Sequence, residues 1–101
     1  MGIFDKMRGD SIRVHVLIKG RIGEAWHDVD EFMRIPMGTT LGKLVDVADN
    51  AKVPLRDALD QSPHLIETMM INGERCPFTE NTGRVLLDGD EIYLLAPLAG
   101  G

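Results

Sequence analysis

The residues best suited to chemistry stand at the end of the sequence, where Gly100 and Gly101 follow the apolar run YLLAPLA. Glycine has no Cβ, so its carbonyl can be approached closely and its backbone can enter a narrow channel. Chain ends are often frayed and carry no function. The pair of glycines is therefore informative only if the preceding residues build a domain that presents it.

Length and composition indicate one folded domain. The chain has 101 residues, of which 44% are hydrophobic and 27% charged, a balance that supports a core without disulfides. Cys76 is the only cysteine, which excludes an internal disulfide and a Cys-x-x-Cys site. The three histidines, His15, His27 and His64, lack ligand spacing, so we expect no metal site.

Net charge and apolar run length predict the class of partner and the location. The 16 acidic and 11 basic residues give a formal charge of -5, opposite in sign to a phosphate-binding surface. We therefore expect no nucleic-acid partner. The first residues, MGIFDKMRGDS, lack the apolar core of a signal peptide, and no apolar run approaches membrane-spanning length. We expect a cytoplasmic protein that binds no membrane.

The first half of the chain predicts a β-hairpin followed by a helix. In IRVHVLI the apolar residues Ile12, Val14, Val16 and Ile18 alternate with residues of the other side, as in a half-buried strand. Glycines 20 and 23 allow a turn, a second strand extends to Ile35, and Trp26 is expected to be partly buried. Thr39 or Thr40 caps a helix, because the apolar residues of TLGKLVDVADNA have helical spacing.

The second half predicts an added helix and two turns between strands. Residues 52–63 form a short second helix that Pro63 stops, and residues 65–71 form a strand. Asn72-Gly73 is a hairpin turn before a short return over 75–78, and Asp88-Gly89-Asp90 is a turn before the last strand. The order of elements predicts an α+β fold, with a mixed sheet and one main helix packed across one face.

The segment INGERCPFTENTGRVLLDGDEIYLLAPLAGG resembles the carboxyl half of the MoaD/ThiS sulfur-carrier family. The matching features are a strand ending in Asn72-Gly73-Glu74, the Asp-Gly-Asp-Glu turn at 88–91 and the terminal Gly100-Gly101. Residues 34–48 also resemble the family's strand–Pro–turn–helix crossover. The resemblance implies a ubiquitin-like β-grasp domain over 12–96, between a flexible extension, 1–11, and a flexible arm, 97–101. Residues 1–11 and 52–63 exceed a minimal family member.

The same resemblance implies a carrier protein and not an enzyme. An E1-like adenylyltransferase would use ATP to adenylate the terminal carboxylate of Gly101, and a sulfur donor would convert it to a thiocarboxylate, while Gly100 lets the arm enter the active site. The carrier binds no cofactor itself, since the ATP is used by its partner.

The pathway and the kind of transfer stay open. Pro97 makes the tail more similar to the small subunit of molybdopterin synthase, whose large subunit holds the pterin and would be a second partner. The alternatives are a thiamine-type or other biosynthetic carrier with another sulfur-accepting enzyme, and a ubiquitin-like conjugation or interaction module.

A docking surface is predicted on the side of the last strand that faces away from the helix. If Ile92 and Leu94 face the helix, alternation turns Tyr93 and Leu95 outward. Phe32 and Met69 are expected to extend this surface, because Met33 and Met70 can take the core side. The candidate partner-binding residues are Phe32, Met69, Tyr93, Leu95, Pro97, Leu98 and Ala99.

Overall fold

The computed structural model describes residues 10–97, which form a five-stranded mixed sheet with three helices against one face. The elements are β1 (Ser11–Ile22), β2 (Ala25–Pro36), α1 (Leu41–Asn50), α2 (Leu55–Gln61), α3 (Pro63–Thr68), β3 (Met70–Ile71), β4 (Glu74–Arg75) and β5 (Glu91–Leu95). The strand order is β2-β1-β5-β3-β4, in which β1 and β5 are parallel and the other neighbours antiparallel. The predicted α+β class with a mixed sheet is confirmed. No helix within residues 10–97 has the length and apolarity to cross a bilayer.

The first hairpin follows the alternation of its sequence. β1 and β2 pair from Ser11 opposite Pro36 to Ile22 opposite Ala25, and the inward residues of β1 are buried as predicted. Trp26 is 61% exposed, so the expectation of partial burial is wrong. The residue lies opposite Arg21 on the outward side at the tip of the hairpin, where no helix covers the sheet.

Helix α1 begins where its capping residue predicts. The side chain of Thr40 accepts a hydrogen bond from the backbone N–H of Lys43 at 3.3 Å, which satisfies a donor that the first turn leaves free. The buried residues of the helix are Leu41, Leu44, Val45 and Ala48. They pack on the inward side of the sheet, and with α2 and α3 they fill the core on that side.

The apolar segment over 65–71 is mostly helical, so the predicted strand there is wrong. Pro63 occupies the first turn of α3, and Ser62 accepts a hydrogen bond from the backbone N–H of Leu65 at 3.3 Å. A proline that was expected to stop one helix thus begins the next, because its fixed φ angle suits a first helical position. Strand β3 is left with Met70–Ile71.

The two predicted turns are tied together by side chains at the start of β5. Asp90 is buried; its Oδ1 accepts from the Asn72 side-chain amide at 2.8 Å and its Oδ2 from the backbone N–H of Leu87 at 2.8 Å. Asn72 in turn accepts from the backbone N–H of Glu91 at 2.9 Å. This network fixes the entry of β5 between β1 and β3.

Replacing the buried carboxylate at the centre of this network is expected to destabilise the fold. In Asp90→Ala the N–H of Leu87 and the amide of Asn72 lose their acceptor, which lowers the free energy of unfolding by about 2 to 3 kcal/mol. Urea denaturation measures the loss. Glu74→Ala changes an exposed acid of the neighbouring hairpin and should stay within about 0.5 kcal/mol of the unmodified protein. Equal stability of the two variants contradicts the assigned role.

Candidate functional site

The predicted reactive glycines and two of the predicted docking residues lie beyond the part of the chain that the structure describes. Leu98, Ala99, Gly100 and Gly101 are outside the described residues, which end at Pro97. What the structure does describe is the base of the arm and the sheet surface beside it. These two features make up the candidate site.

The base of the arm is anchored to β1. The backbone N–H of Ala96 donates to the carbonyl of Lys19 at 2.8 Å, one residue past the end of β5, and Ala96 is buried. Pro97 has no N–H and is exposed, so it cannot extend the ladder as a donor. The ladder of β5 therefore has no backbone donor at Pro97, and the predicted arm beyond it lies outside the described residues.

Gly20 allows this anchorage, a role that sequence reasoning missed because it assigned Gly20 to the turn. Gly20 lies within β1 at φ +113°, and a Cβ there would approach the carbonyl oxygen of Ala96 to 2.8 Å and its Cβ to 2.9 Å. Any larger residue would push the base of the arm away from β1. The available signal was a glycine inside an alternating strand pattern, which often marks a close backbone approach.

The face of the sheet opposite the helices, here called the open face, carries three of the seven predicted docking residues. In the strand register, Leu17 and Met70 both lie opposite Tyr93. Phe32 is 59% and Leu95 45% exposed, while Tyr93 is partly buried. The outward orientation predicted for Phe32, Tyr93 and Leu95 is confirmed. Their role in binding a partner stays a prediction.

Met69 does not belong to this surface. Its side chain is fully buried, whereas Met70 is partly exposed and lies opposite Tyr93 on the open face. The predicted sides of Met69 and Met70 are reversed because α3 extends to Thr68. Met69 therefore follows a helix and does not alternate along a strand. Met70 takes the place that the sequence assigned to Met69.

An aromatic row crosses three strands of the open face and consists of Phe32, His15 and Tyr93. The rings of His15 and Phe32 stack with centroids 4.5 Å apart, and those of His15 and Tyr93 meet edge to face at 5.6 Å. His15 Nε2 lies 2.5 Å from a carboxylate oxygen of Asp30. His15 was not predicted as a surface feature, although the alternation of β1 already places it on the outward side.

Charged groups on the open face perturb the pKa values of Tyr93 and Lys19. Partial burial, followed by the carboxylates of Glu91 and Asp30, raises the pKa of Tyr93 above its ordinary value. The hydrogen bond from Lys19 to Asp28 raises the pKa of Lys19 because it favours the charged ammonium, whereas burial acts in the opposite direction. The open face thus combines apolar and aromatic area with ion pairs on the same surface.

The other polar candidates have structural surroundings. Cys76 is buried, and the guanidinium of Arg84 lies 3.4 Å from its sulfur, which is the environment of a packed side chain. Within residues 10–97 no three His, Cys, Asp or Glu side chains come together as a metal site.

The chain resembles a known structure in fold. It is similar to the solution structure of the Haloferax volcanii HVO 2177 protein, with a TM-score of 0.52 and 19% sequence identity over 91% of this chain and 89% of that one. No protein-family model and no curated protein matches the sequence. At this level of identity the likeness shows a shared mixed α+β fold.

Substitution of Gly20 should displace the base of the arm. Gly20→Ala adds both backbone strain at positive φ and a clash with Ala96, so we expect a loss of about 2 to 4 kcal/mol in the free energy of unfolding. Gly38→Ala is the matched control, because Gly38 also has positive φ but open space around it; it should lose about 1 kcal/mol. Urea denaturation gives both values, and equal losses would show that Ala96 does not constrain Gly20.

Tyr93 is the only tyrosine, so ultraviolet absorbance of the tyrosinate reports its titration directly. The folded protein should titrate above the urea-unfolded chain, and Glu91→Gln should lower the folded pKa towards its ordinary value without abolishing the effect of burial. Because the pKa of Tyr93 is higher in the folded than in the unfolded protein, the neutral phenol contributes stability that is fully present below the unfolded pKa. That stability is lost as pH rises through the folded pKa. Identical titration of folded and unfolded chains contradicts the assignment.

Proposed function

We propose that this chain is a sulfur-carrier protein with a ubiquitin-like β-grasp fold, which carries sulfur as a thiocarboxylate on Gly101. The observation that carries the proposal is the exit of the chain from the sheet. β5 lies in the middle of the sheet, buried Ala96 anchors its end, and exposed Pro97 follows, beside the apolar residues of the open face, where the proposed arm begins.

The topology supports the β-grasp assignment. A hairpin, a crossover through helices and a last strand parallel to the first give the order β2-β1-β5-β3-β4, which resembles the ubiquitin-like arrangement. The fold similarity to the HVO 2177 protein over nearly the whole of both chains is consistent with it. The residues that carry the family resemblance, Asn72 and Asp90, form the network at the entry of β5.

The proposed chemistry needs no catalytic group from this chain. A carboxylate oxygen of Gly101 attacks the α-phosphorus of ATP in the active site of an E1-like adenylyltransferase, and pyrophosphate leaves. A sulfide-equivalent donor then attacks the acyl-adenylate carbonyl, and AMP leaves. The arm from Pro97 to Gly101 spans at most about 17 Å when extended, which lets the carboxylate enter a deep site while the domain stays outside.

Two surfaces of this chain serve different steps in the proposal. The arm presents the reacting group, and the apolar part of the open face around Leu17, Tyr93 and Leu95 docks on the activating enzyme and then on the acceptor. We place the acceptor in molybdopterin synthesis, with the large subunit of molybdopterin synthase as partner, because of Pro97. ATP-dependent activation fits a cytoplasmic protein.

Intact-mass spectrometry tests the carrier function. The untagged protein is first weighed to establish that Gly101 ends the chain, and then incubated with ATP, an E1-like adenylyltransferase and a sulfur donor. Exchange of oxygen for sulfur should add about 16 Da, as expected for covalent activation at the carboxylate. A variant lacking Gly101 should gain nothing. Conjugates of higher mass would favour a protein modifier, and no change with several such enzymes would favour a binding module.

Docking through the open face is tested with the same reaction. Leu95→Glu puts a charge on the apolar area beside the arm and should lower kcat/KM for thiocarboxylate formation by about tenfold or more, since a desolvated charge weakens the complex. Val85→Glu is the control, because Val85 is also an exposed aliphatic residue but pairs with Thr40 beside α1. Equal rates for both variants would remove Leu95 from the interface.

A further inference from the structure

Two arginines lie directly opposite each other on the open face. Arg13 of β1 and Arg34 of β2 are cross-strand partners, and both side chains are exposed. Like charges in this position destabilise a sheet. Among residues 10–97, no carboxylate lies within ion-pair distance of either guanidinium, whereas Arg56 and Arg75 are each paired with carboxylates.

Both guanidinium groups are held by neutral partners. The Cζ atom of Arg13 lies 4.7 Å from the centroid of the Phe32 ring, and Arg34 Nη1 donates to Ser11 Oγ at 2.9 Å. Stacking leaves the N–H groups of Arg13 free to donate in the plane of its guanidinium, and Arg34 keeps further donors. Arg13 is directed along the strands towards Phe32 and Arg34 towards Ser11, so each guanidinium separately keeps donors for an acceptor that neither strand supplies.

A carboxylate is the ligand that fits this arrangement. Guanidinium groups bind carboxylates in bidentate geometry through charge-assisted hydrogen bonds, and a carboxylate bound to each arginine would offset their repulsion. Phe32, exposed beside Arg13, offers apolar contact for a neighbouring side chain. Without these two arginines the formal charge of -5 becomes -7, so the rest of the chain disfavours an extended polyanion such as nucleic acid.

We propose that Arg13, Arg34 and Phe32 form a clamp for an acidic segment of a partner protein. One acidic side chain of that segment binds the guanidinium of Arg13 and another binds that of Arg34, and an adjacent aliphatic side chain packs on Phe32. Arg13 lies six residues along β1 from Lys19, whose carbonyl anchors Ala96 at the base of the arm. At the rise of a strand this is roughly 20 Å. A partner can therefore occupy the clamp independently of the arm, and the proposal does not rest on sulfur carriage.

An NMR titration of the full-length, nitrogen-15-labelled protein tests the clamp. The probe is the synthetic peptide Gly-Leu-Asp-Glu-Asp-Leu-Gly, and the matched control peptide is Gly-Leu-Asn-Gln-Asn-Leu-Gly. The acidic peptide should shift the backbone amide signals of residues 11–14 and 32–35, and the neutral peptide should not. The double variant Arg13→Gln, Arg34→Gln should raise the Kd by about tenfold or more, as expected for loss of charge-assisted hydrogen bonds.

Lys43→Gln is the control for the loss of positive charge, since Lys43 is exposed on α1. It should leave the Kd of the acidic peptide unchanged. The dispersion of the amide signals shows whether each variant is folded. Equal shifts with the neutral peptide, an unchanged Kd in the folded double variant, or tighter binding of an oligothymidylate than of the acidic peptide would each overturn the proposal.

Discussion

The parallel pairing of β5 with β1 is the interaction on which the rest of the structure depends. It begins where the N–H of His15 donates to the carbonyl of Asp90 at 2.9 Å and ends where that of Ala96 donates to the carbonyl of Lys19 at 2.8 Å. Parallel neighbours need a long crossover, and here the crossover carries the helices that cover one face. The same pairing places the outward residues of β5 beside those of β1 and leaves that side open.

Local signals predicted the elements whose structure is decided locally. Alternation identified β1, and a threonine followed by helical spacing identified α1. Glycine turns identified where β3 ends and where β5 begins. The prediction for residues 65–71 was wrong because their apolar positions fit a short helix as well as a strand. The cap at Ser62 and the proline at 63 favour the helix. That decision buried Met69 and turned Met70 outward.

The candidate site was predictable only where a single strand determines it. Alternation sufficed for Phe32, Tyr93 and Leu95, whose sides follow from their own neighbours. Gly20 matters because Ala96, far along the chain, lies against it. The pairing of Arg13 with Arg34 depends on the register across the hairpin. A pattern of residue types along one strand does not contain such information, since register is set by the turn and by the whole core.

The two faces of the sheet differ in how fully their groups are satisfied. On the helical side, nearly every buried side-chain polar atom of residues 10–97 has a partner, the exception being His27 Nδ1. The open face instead keeps exposed aromatic area and an uncompensated arginine pair. A partner that covers its centre must also desolvate the pairs of His15 with Asp30 and Lys19 with Asp28, which returns little free energy. Net affinity must then come from the apolar residues beside the arm and from Arg13 and Arg34, which have no carboxylate partner among residues 10–97.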